Sequence, residues 1–198
     1  MNWGVTYDFG EELEGVVISV TPCIMYDNYY LLVGVTNLYN KDISFSANAQ
    51  AKDASDNIVG DGFFFNTCIG AGNTAINLID CGDNTPDGRI SWSDVEVGES
   101  YRSYVAWEAD YAVSGNPNDS YLTVDYEMYA TDGSRAFEGD LVTVLLLDEH
   151  GFVVGVGTDY GDETAPGSKY IGSTNIYADA ASLSLTKDVA IFANPFEP

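Results

Sequence analysis

From position 43 to 52 the chain alternates without a break. Ile43, Phe45, Ala47, Ala49 and Ala51 stand on one side, and Ser44, Ser46, Asn48, Gln50 and Lys52 on the other. A period of two puts these sets on opposite faces of a strand, whereas a helix would scatter them. The alternation returns at 121–128, where Leu122, Val124, Tyr126 and Met128 face one way and Thr123, Asp125 and Glu127 the other. Other runs are apolar on both faces. Leu141–Leu147 is short and rich in branched residues; Asp148, Glu149, His150 and Gly151 supply turn chemistry, and the apolar run resumes at Phe152. Residues 140–155, opening on Asp140, therefore predict a β-hairpin. Further strands are predicted at 13–25 (from Leu13, with Pro22 at an edge or bend), 29–36, 58–65, 74–79, 101–107, 169–177 and 183–192. No stretch of about ten residues shows a 3.6-residue period with capping signals. The pattern predicts an all-β fold, and about a dozen strands at this spacing predict sandwiches rather than one barrel.

The hairpin has a fainter copy upstream. A shift of 95 positions lays Asp53 on Asp148 and Val59-Gly60 on Val154-Gly155. Beyond the hairpins, 97–110 resembles 166–179 at a shift of 69, with Tyr101 on Tyr170 and Trp107 on Ile176. The change of shift predicts an acidic insertion around 69–94 in the first copy. Two domains in tandem follow, 1–113 and 114–198, with the Gly- and Asn-containing loop at 110–120 as the boundary. The segment 121–129 fits either an opening strand like 29–36 or a closing strand like 184–192, and the second choice moves the boundary to near 131.

Composition narrows the function. A hydrophobic share of 45% belongs to a folded protein, yet 31 acidic residues face only 7 basic ones, for a net charge of −24. Such a surface repels phosphate backbones and anionic headgroups, which excludes nucleic acid and leaves cationic partners, metal ions and solubility. No apolar run reaches the ~18 residues of a membrane helix, so no direct membrane insertion is expected. Neither a basic start nor an apolar core marks a signal peptide at the first residues. Cys23, Cys68 and Cys81 form no C-x-x-C motif; Cys68 and Cys81 could bridge one loop.

The order strand, Asp-containing turn, V-V-G, polar stretch and A-P-G resembles the FxLYD type of immunoglobulin-like domain. The motif falls on Val144, Leu146, Leu147 and Asp148, and in the first copy on Ala49, Ala51, Lys52 and Asp53, where only the Asp survives. That resemblance implies two immunoglobulin-like β-sandwich domains of the kind found in bacterial cell-surface proteins and envelope lipoproteins. It implies an extracellular or cell-surface location and carries no catalytic residue.

Three sets of residues are candidates for chemistry. Residues 83–94, D-N-T-P-D-G-R-I-S-W-S-D, have the spacing of a calcium loop, with side-chain oxygens from Asp83, Thr85 and Asp87, the Arg89 carbonyl, and Asp94 closing the shell. Thr85 and Pro86 depart from that pattern. His150, the single histidine, sits in a turn with no third group to orient it as a base. Tyr26, Tyr29, Tyr30 and Trp92 are candidate ligand contacts at loop tips, while Trp107 and Phe63 to Phe65 are expected inside the sandwich. The leading expectation is a non-catalytic module for adhesion, ligand binding or spacing, with a protein or glycan partner. A calcium-dependent binding module and a β-sandwich hydrolase are the alternatives.

Overall fold

The computed structural model describes residues 1–8, 14–138 and 141–198; Leu13 and Asp140, which open two predicted strands, lie outside the described residues. The chain is all-β and antiparallel, and it divides into two compact units, Trp3–Arg102 and Ser103–Pro198, the latter including Met1–Asn2.

The first unit contains β1 (Val5–Asp8), β2 (Val16–Met25), β3 (Asn28–Asn37), β4 (Ile43–Lys52), β5 (Ile58–Ile69), β6 (Thr74–Gly82) and β7 (Arg89–Glu99). They form two sheets, in the orders β1-β2-β3-β6 and β5-β4-β7. The alternation read from the sequence of β4 is the alternation observed: its apolar set is buried in the core between the sheets. Small side chains on this central strand have a packing reason. Ala47 lies opposite Phe64 of β5, Ala49 lies opposite Trp92 of β7, and the two rings meet edge to face at 5.8 Å. Larger residues at 47 and 49 would hold those rings apart.

The second unit contains β8 (Trp107–Ser114), β9 (Tyr121–Ala130), β10 (Phe137–Glu138), β11 (Leu141–Leu147), β12 (Val153–Tyr160), β13 (Glu163–Thr164), β14 (Tyr170–Tyr177), α1 (Ala180–Ser184) and β15 (Asp188–Phe192). Its sheets run β14-β9-β8 and β12-β11-β15, with a small β10-β13 ribbon. Leu122, Val124, Tyr126 and Met128 are buried as their period requires. β11 is buried on both faces, which accounts for its unbroken apolar run.

The two units share one connectivity. A first hairpin (β2-β3 or β8-β9) is followed by a second (β4-β5 or β11-β12); the next long strand returns to pair with β3 or β9, and the last with β4 or β11. Strand starts at 28, 58 and 74 correspond to 121, 153 and 170, an offset of about 95 throughout. This corrects the expected change of shift. Residues 69–94 are not an insertion; they carry most of β6 and β7, the counterparts of β14 and β15. The ambiguous segment 121–129 is the counterpart of β3.

Other expectations change too. The loop at 110–120 is no boundary, because half of it is β8 and the rest joins β8 to β9 within one unit. The predicted strand at 101–107 is irregular up to Trp107, and the stretch predicted as a strand from 183 begins in a helical turn capped by Asp179 before β15 starts at Asp188. All three cysteines are buried free thiols, so the possible bridge between Cys68 and Cys81 is not formed.

Both second hairpins turn on the same local chemistry. Asp53 Oδ1 accepts the backbone N–H of Ser55 and of Asn57 at 2.8 and 2.9 Å. Asp148 Oδ1 accepts those of His150 and Phe152 at 2.8 and 2.9 Å. The residue three positions after each Asp, Asp56 or Gly151, takes a positive φ. The side chain thereby replaces backbone acceptors that the tight turn removes. Two glycines follow each turn, Gly60 and Gly62, or Gly155 and Gly157, and they let the next strand pass close by. A Cβ on Gly60 would lie 2.4 Å from the Asp80 carbonyl oxygen, and one on Gly157 would lie 2.8 Å from Ile176.

Gly60→Ala and Gly157→Ala should each cost about 1–3 kcal/mol through overpacking, while Gly133→Ala, where a Cβ meets nothing within 4 Å, should be neutral. Urea unfolding of the three variants checks this. Acid should also destabilise the chain. Hydrogen bonds from Asn57, Ser134 and Ser182 hold Asp53, Asp132 and Asp179 below the usual carboxylate range. A depressed native pKa gives stability that is present above about pH 4 and lost as pH falls through the lower native value. Melting midpoints measured from pH 6 to pH 2 should fall mainly below pH 4.

Candidate ligand-binding face

The outer surface of the β5-β4-β7 sheet is the most distinctive surface of the first unit. The pleat that buries the alanines of β4 turns Ser44, Ser46, Asn48 and Gln50 outward. Pairing places Phe65 and Glu96 beside Ser46, Phe63 and Ser93 beside Asn48, and Asp61 and Ser91 beside Gln50. The resulting rows each join a hydroxyl or amide to an aromatic ring or a carboxylate. Phe63 is 65% exposed and Phe65 60%, with near-parallel rings 6.4 Å apart, whereas Phe64 between them is 3% exposed. The expectation that all three phenylalanines lie inside therefore holds only for Phe64, because successive residues of a strand point to opposite faces.

A β-bulge shapes the same face. The pairing of β4 with β7 shifts between Ser46 and Asn48, and Asp94 there adopts φ 52°. Asn48 Nδ2 donates to Asp94 Oδ2 at 2.8 Å, and Ser93 Oγ lies 3.3 Å from the same oxygen. Two shallow grooves run over the sheet. One, of about 370 Å³, is lined by Asn48, Gln50, Asp61, Phe63 and Ser91; the other, of about 750 Å³, by Lys41, Ser44, Ser46, Phe65 and Glu96.

The calcium-type loop takes a different form from the one its spacing predicts. Asp83, Thr85 and Asp87 lie between β6 and β7, but Arg89 to Asp94 are part of β7, whose extended backbone carries Asp94 away from the others. Arg89 occupies the place of a cation. Its Nε donates to Asp87 Oδ2 at 2.7 Å, its Nη1 lies 3.3 Å from Asp56, and its Nη2 donates to the Asp53 carbonyl. The Asp87 hydrogen bond, ahead of the nearby acidic charges, raises the Arg89 pKa. Among the described residues no group of three or more His, Cys, Asp and Glu is placed to hold a metal ion.

The aromatic candidates do not form one patch. Tyr26 is exposed in the two-residue β2-β3 turn, where it and Asp27 both have positive φ. Tyr29 packs against the core, and Tyr30, on the opposite face of β3, directs its hydroxyl to Asp80 at 3.4 Å. Trp92 belongs to β7 and packs on the core rather than at a loop tip. Trp107 packs against the core of the second unit, as expected. His150 is exposed at its turn, with Glu149 at 3.6 Å.

A part-buried polar cluster lies in the second unit. Tyr126 and Tyr170 both donate to Asp159 Oδ2, at 2.8 and 3.1 Å. Burial first, and then the Asp159 carboxylate, push both phenol pKa values up. Both groups are therefore proton donors that tie β9 and β14 to β12. Sequence reasoning missed the candidate face because it weighed loop tips; the signal available was the Phe63-Phe64-Phe65 run set beside a strictly alternating strand.

No protein-family profile matches the chain, and no curated protein matches it. Among solved structures, red sea bream transglutaminase matches at a TM-score of 0.28 and 10% identity, covering 94% of this chain. The chain spans 32% of that protein's length.

Thermal melts with and without millimolar calcium should superimpose. A cation bound only by the native form at ~100 times its dissociation constant would add about 2.7 kcal/mol, a shift easily seen. Arg89→Ala should lower the midpoint by releasing Asp87 and Asp56 from their shared partner.

Proposed function

We propose that this protein is a non-catalytic module of the cell exterior, built of immunoglobulin-like sandwiches, that binds a neutral glycan on the outer face of the β5-β4-β7 sheet. The observation that carries this reading is the pairing of two exposed phenylalanine rings with a row of amides, hydroxyls and carboxylates on one open sheet.

The chemistry suits a polyhydroxylated ligand. Sugar rings offer an apolar C–H face and a rim of hydroxyls that both donate and accept. Phe63 and Phe65 supply apolar surface for the first; Asn48, Gln50, Ser46 and Ser91 supply mixed donors and acceptors for the second. Asp61, Asp94 and Glu96 accept from hydroxyls and repel anionic chains, and a net charge of −24 does the same at longer range. A protein-binding patch of this size would carry a more apolar centre.

Support for the immunoglobulin-like reading comes from connectivity. In each unit the second long strand pairs with the fifth and the third with the sixth, as strands B with E and C with F do in that fold. The cell-surface role rests on the FxLYD resemblance of the second hairpin.

Affinity electrophoresis in gels containing cellulose derivatives, xylan, mannan or dextran tests the proposal. At least one neutral polysaccharide should retard the protein, and Phe63→Ala with Phe65→Ala should weaken that retardation at least tenfold, about 1.4 kcal/mol. Asn48→Ala should weaken it less. Absence of retardation by every neutral polymer, or retardation that the double variant leaves intact, would overturn it.

A further inference from the structure

Among the described residues, the lead strand of the first unit has no counterpart in the second. β1 pairs with the outer edge of β2, with Val5 opposite Val20 and Tyr7 opposite Ile18. Tyr7 packs on the core, and its hydroxyl donates at 2.8 Å to the Gly88 carbonyl, next to the start of β7. β8 is the equivalent of β2, and their ladders match. Ile18 lies opposite Val35 and Val20 opposite Val33; Ala109 lies opposite Met128 and Tyr111 opposite Tyr126. Among the described residues no strand pairs with the other edge of β8.

Burial records the difference. Val20 is 0% exposed, whereas its equivalent Tyr111 is 46% exposed; Val113, like its equivalent Pro22, is exposed as well. Beside Tyr111 and Val113 runs a groove of about 290 Å³, lined by Leu122, Leu183, Lys187 and Val189 and reaching the start of β15, the counterpart of β7. Tyr111 crosses it to meet Asp188 at 3.1 Å. This is where the second unit lacks what Tyr7 supplies in the first.

We propose that the free edge of β8 accepts an extended strand from a partner protein, apolar at alternate positions and carrying Lys or Arg between them. Backbone groups of an open edge provide the ladder, and side chains at every second position enter the groove. The intervening positions fall on the outer face, beside Glu108 and Asp110 of β8 and, across the ladder, Asp125 of β9; Glu127 there is already paired with Lys169. Cationic residues there meet a complementary field. A second copy of this chain is a poor donor, since β1 carries Thr6 rather than a cation at such a position and the chain has 7 basic residues against 31 acidic ones.

The test uses the full chain and a fluorescein-labelled peptide, Lys-Val-Lys-Tyr-Lys-Val-Lys, with a scrambled peptide of the same composition whose apolar residues are contiguous. Fluorescence anisotropy should give a dissociation constant at least tenfold lower for the alternating peptide, weakening as salt is raised. Hydrogen exchange should slow across 107–114. Val113→Lys, at an exposed position, should raise the constant at least tenfold without moving the melting midpoint. Equal affinity for both peptides, protection confined to other strands, or a silent Val113→Lys would overturn the proposal. So would dimerisation of the chain alone that Val113→Lys abolishes, because a second copy would then be the occupant.

Discussion

Strand register is the constraint on which this architecture depends, and two carboxylates set it. In each second hairpin the turn Asp accepts two backbone N–H groups and closes the loop at one length. A slip of one residue would exchange the faces of β4 and its neighbours. If β5 turned over, Phe64 would leave the core and Phe63 and Phe65 would enter it; if β4 did, Asn48 and Gln50 would be buried where alanines now sit. Burying an unpartnered amide costs about 1–3 kcal/mol, and exposing a buried phenylalanine about as much again. Those penalties recur along the strand, so one register dominates. The composition of the candidate face is therefore a consequence of turn chemistry several residues away.

Alternation made the fold legible. β4 and β9 have one wet face and one dry face, and their sequences declare it residue by residue. The hairpin repeat was legible for a related reason: Asp53 and Asp148, with the glycines after them, do jobs that few other residues can do. Failures came where local pattern underdetermines structure. The first half of β7, Arg89 to Asp94, has the look of a loop because Asp83, Asp87, Gly88 and Asp94 match a metal-binding spacing. Spacing does not reveal that Arg89 lies within reach of Asp87 and Asp56, nor that the backbone from Arg89 onward is held extended against β4. The residues around 101–107 have strand-like composition, yet they are held as a connection, with Val105 bonded to Pro195 and Tyr104 bridged to Phe196. The helical turn at Ala180–Ser184 is too short to show a period, and its Asp179 cap was the one available sign.

The acidic excess acts as a filter more than as a source of stability. Its few cations are spent locally: Lys52 and Arg89 bind the turn carboxylates, Lys169 lies 2.6 Å from Glu127, and Arg135 pairs with Glu197. These pairs are solvent-exposed and contribute little to stability. The remaining carboxylates keep like-charged chains apart and leave neutral or basic ligands free to approach. Both candidate surfaces fit that filter. One offers aromatic rings and neutral hydrogen-bonding groups; the other is an open edge flanked by acid.

Repetition on a single chain explains why the two units differ at that edge. The ladders place β8 about 91 residues after β2. At the same offset the counterpart of β1 would fall near 96–99, but those residues already close the first unit as the end of β7. Only 100–106 separate β7 from β8, and they serve as the connection. A strand preceding β8 therefore cannot come from the segment that would supply it by repetition. The first unit has a lead strand, and Ile18 and Val20 on the inner face of β2, with which it pairs, are fully buried. In the second, the same face of β8 stays half covered because the repeat has no residues left to cover it.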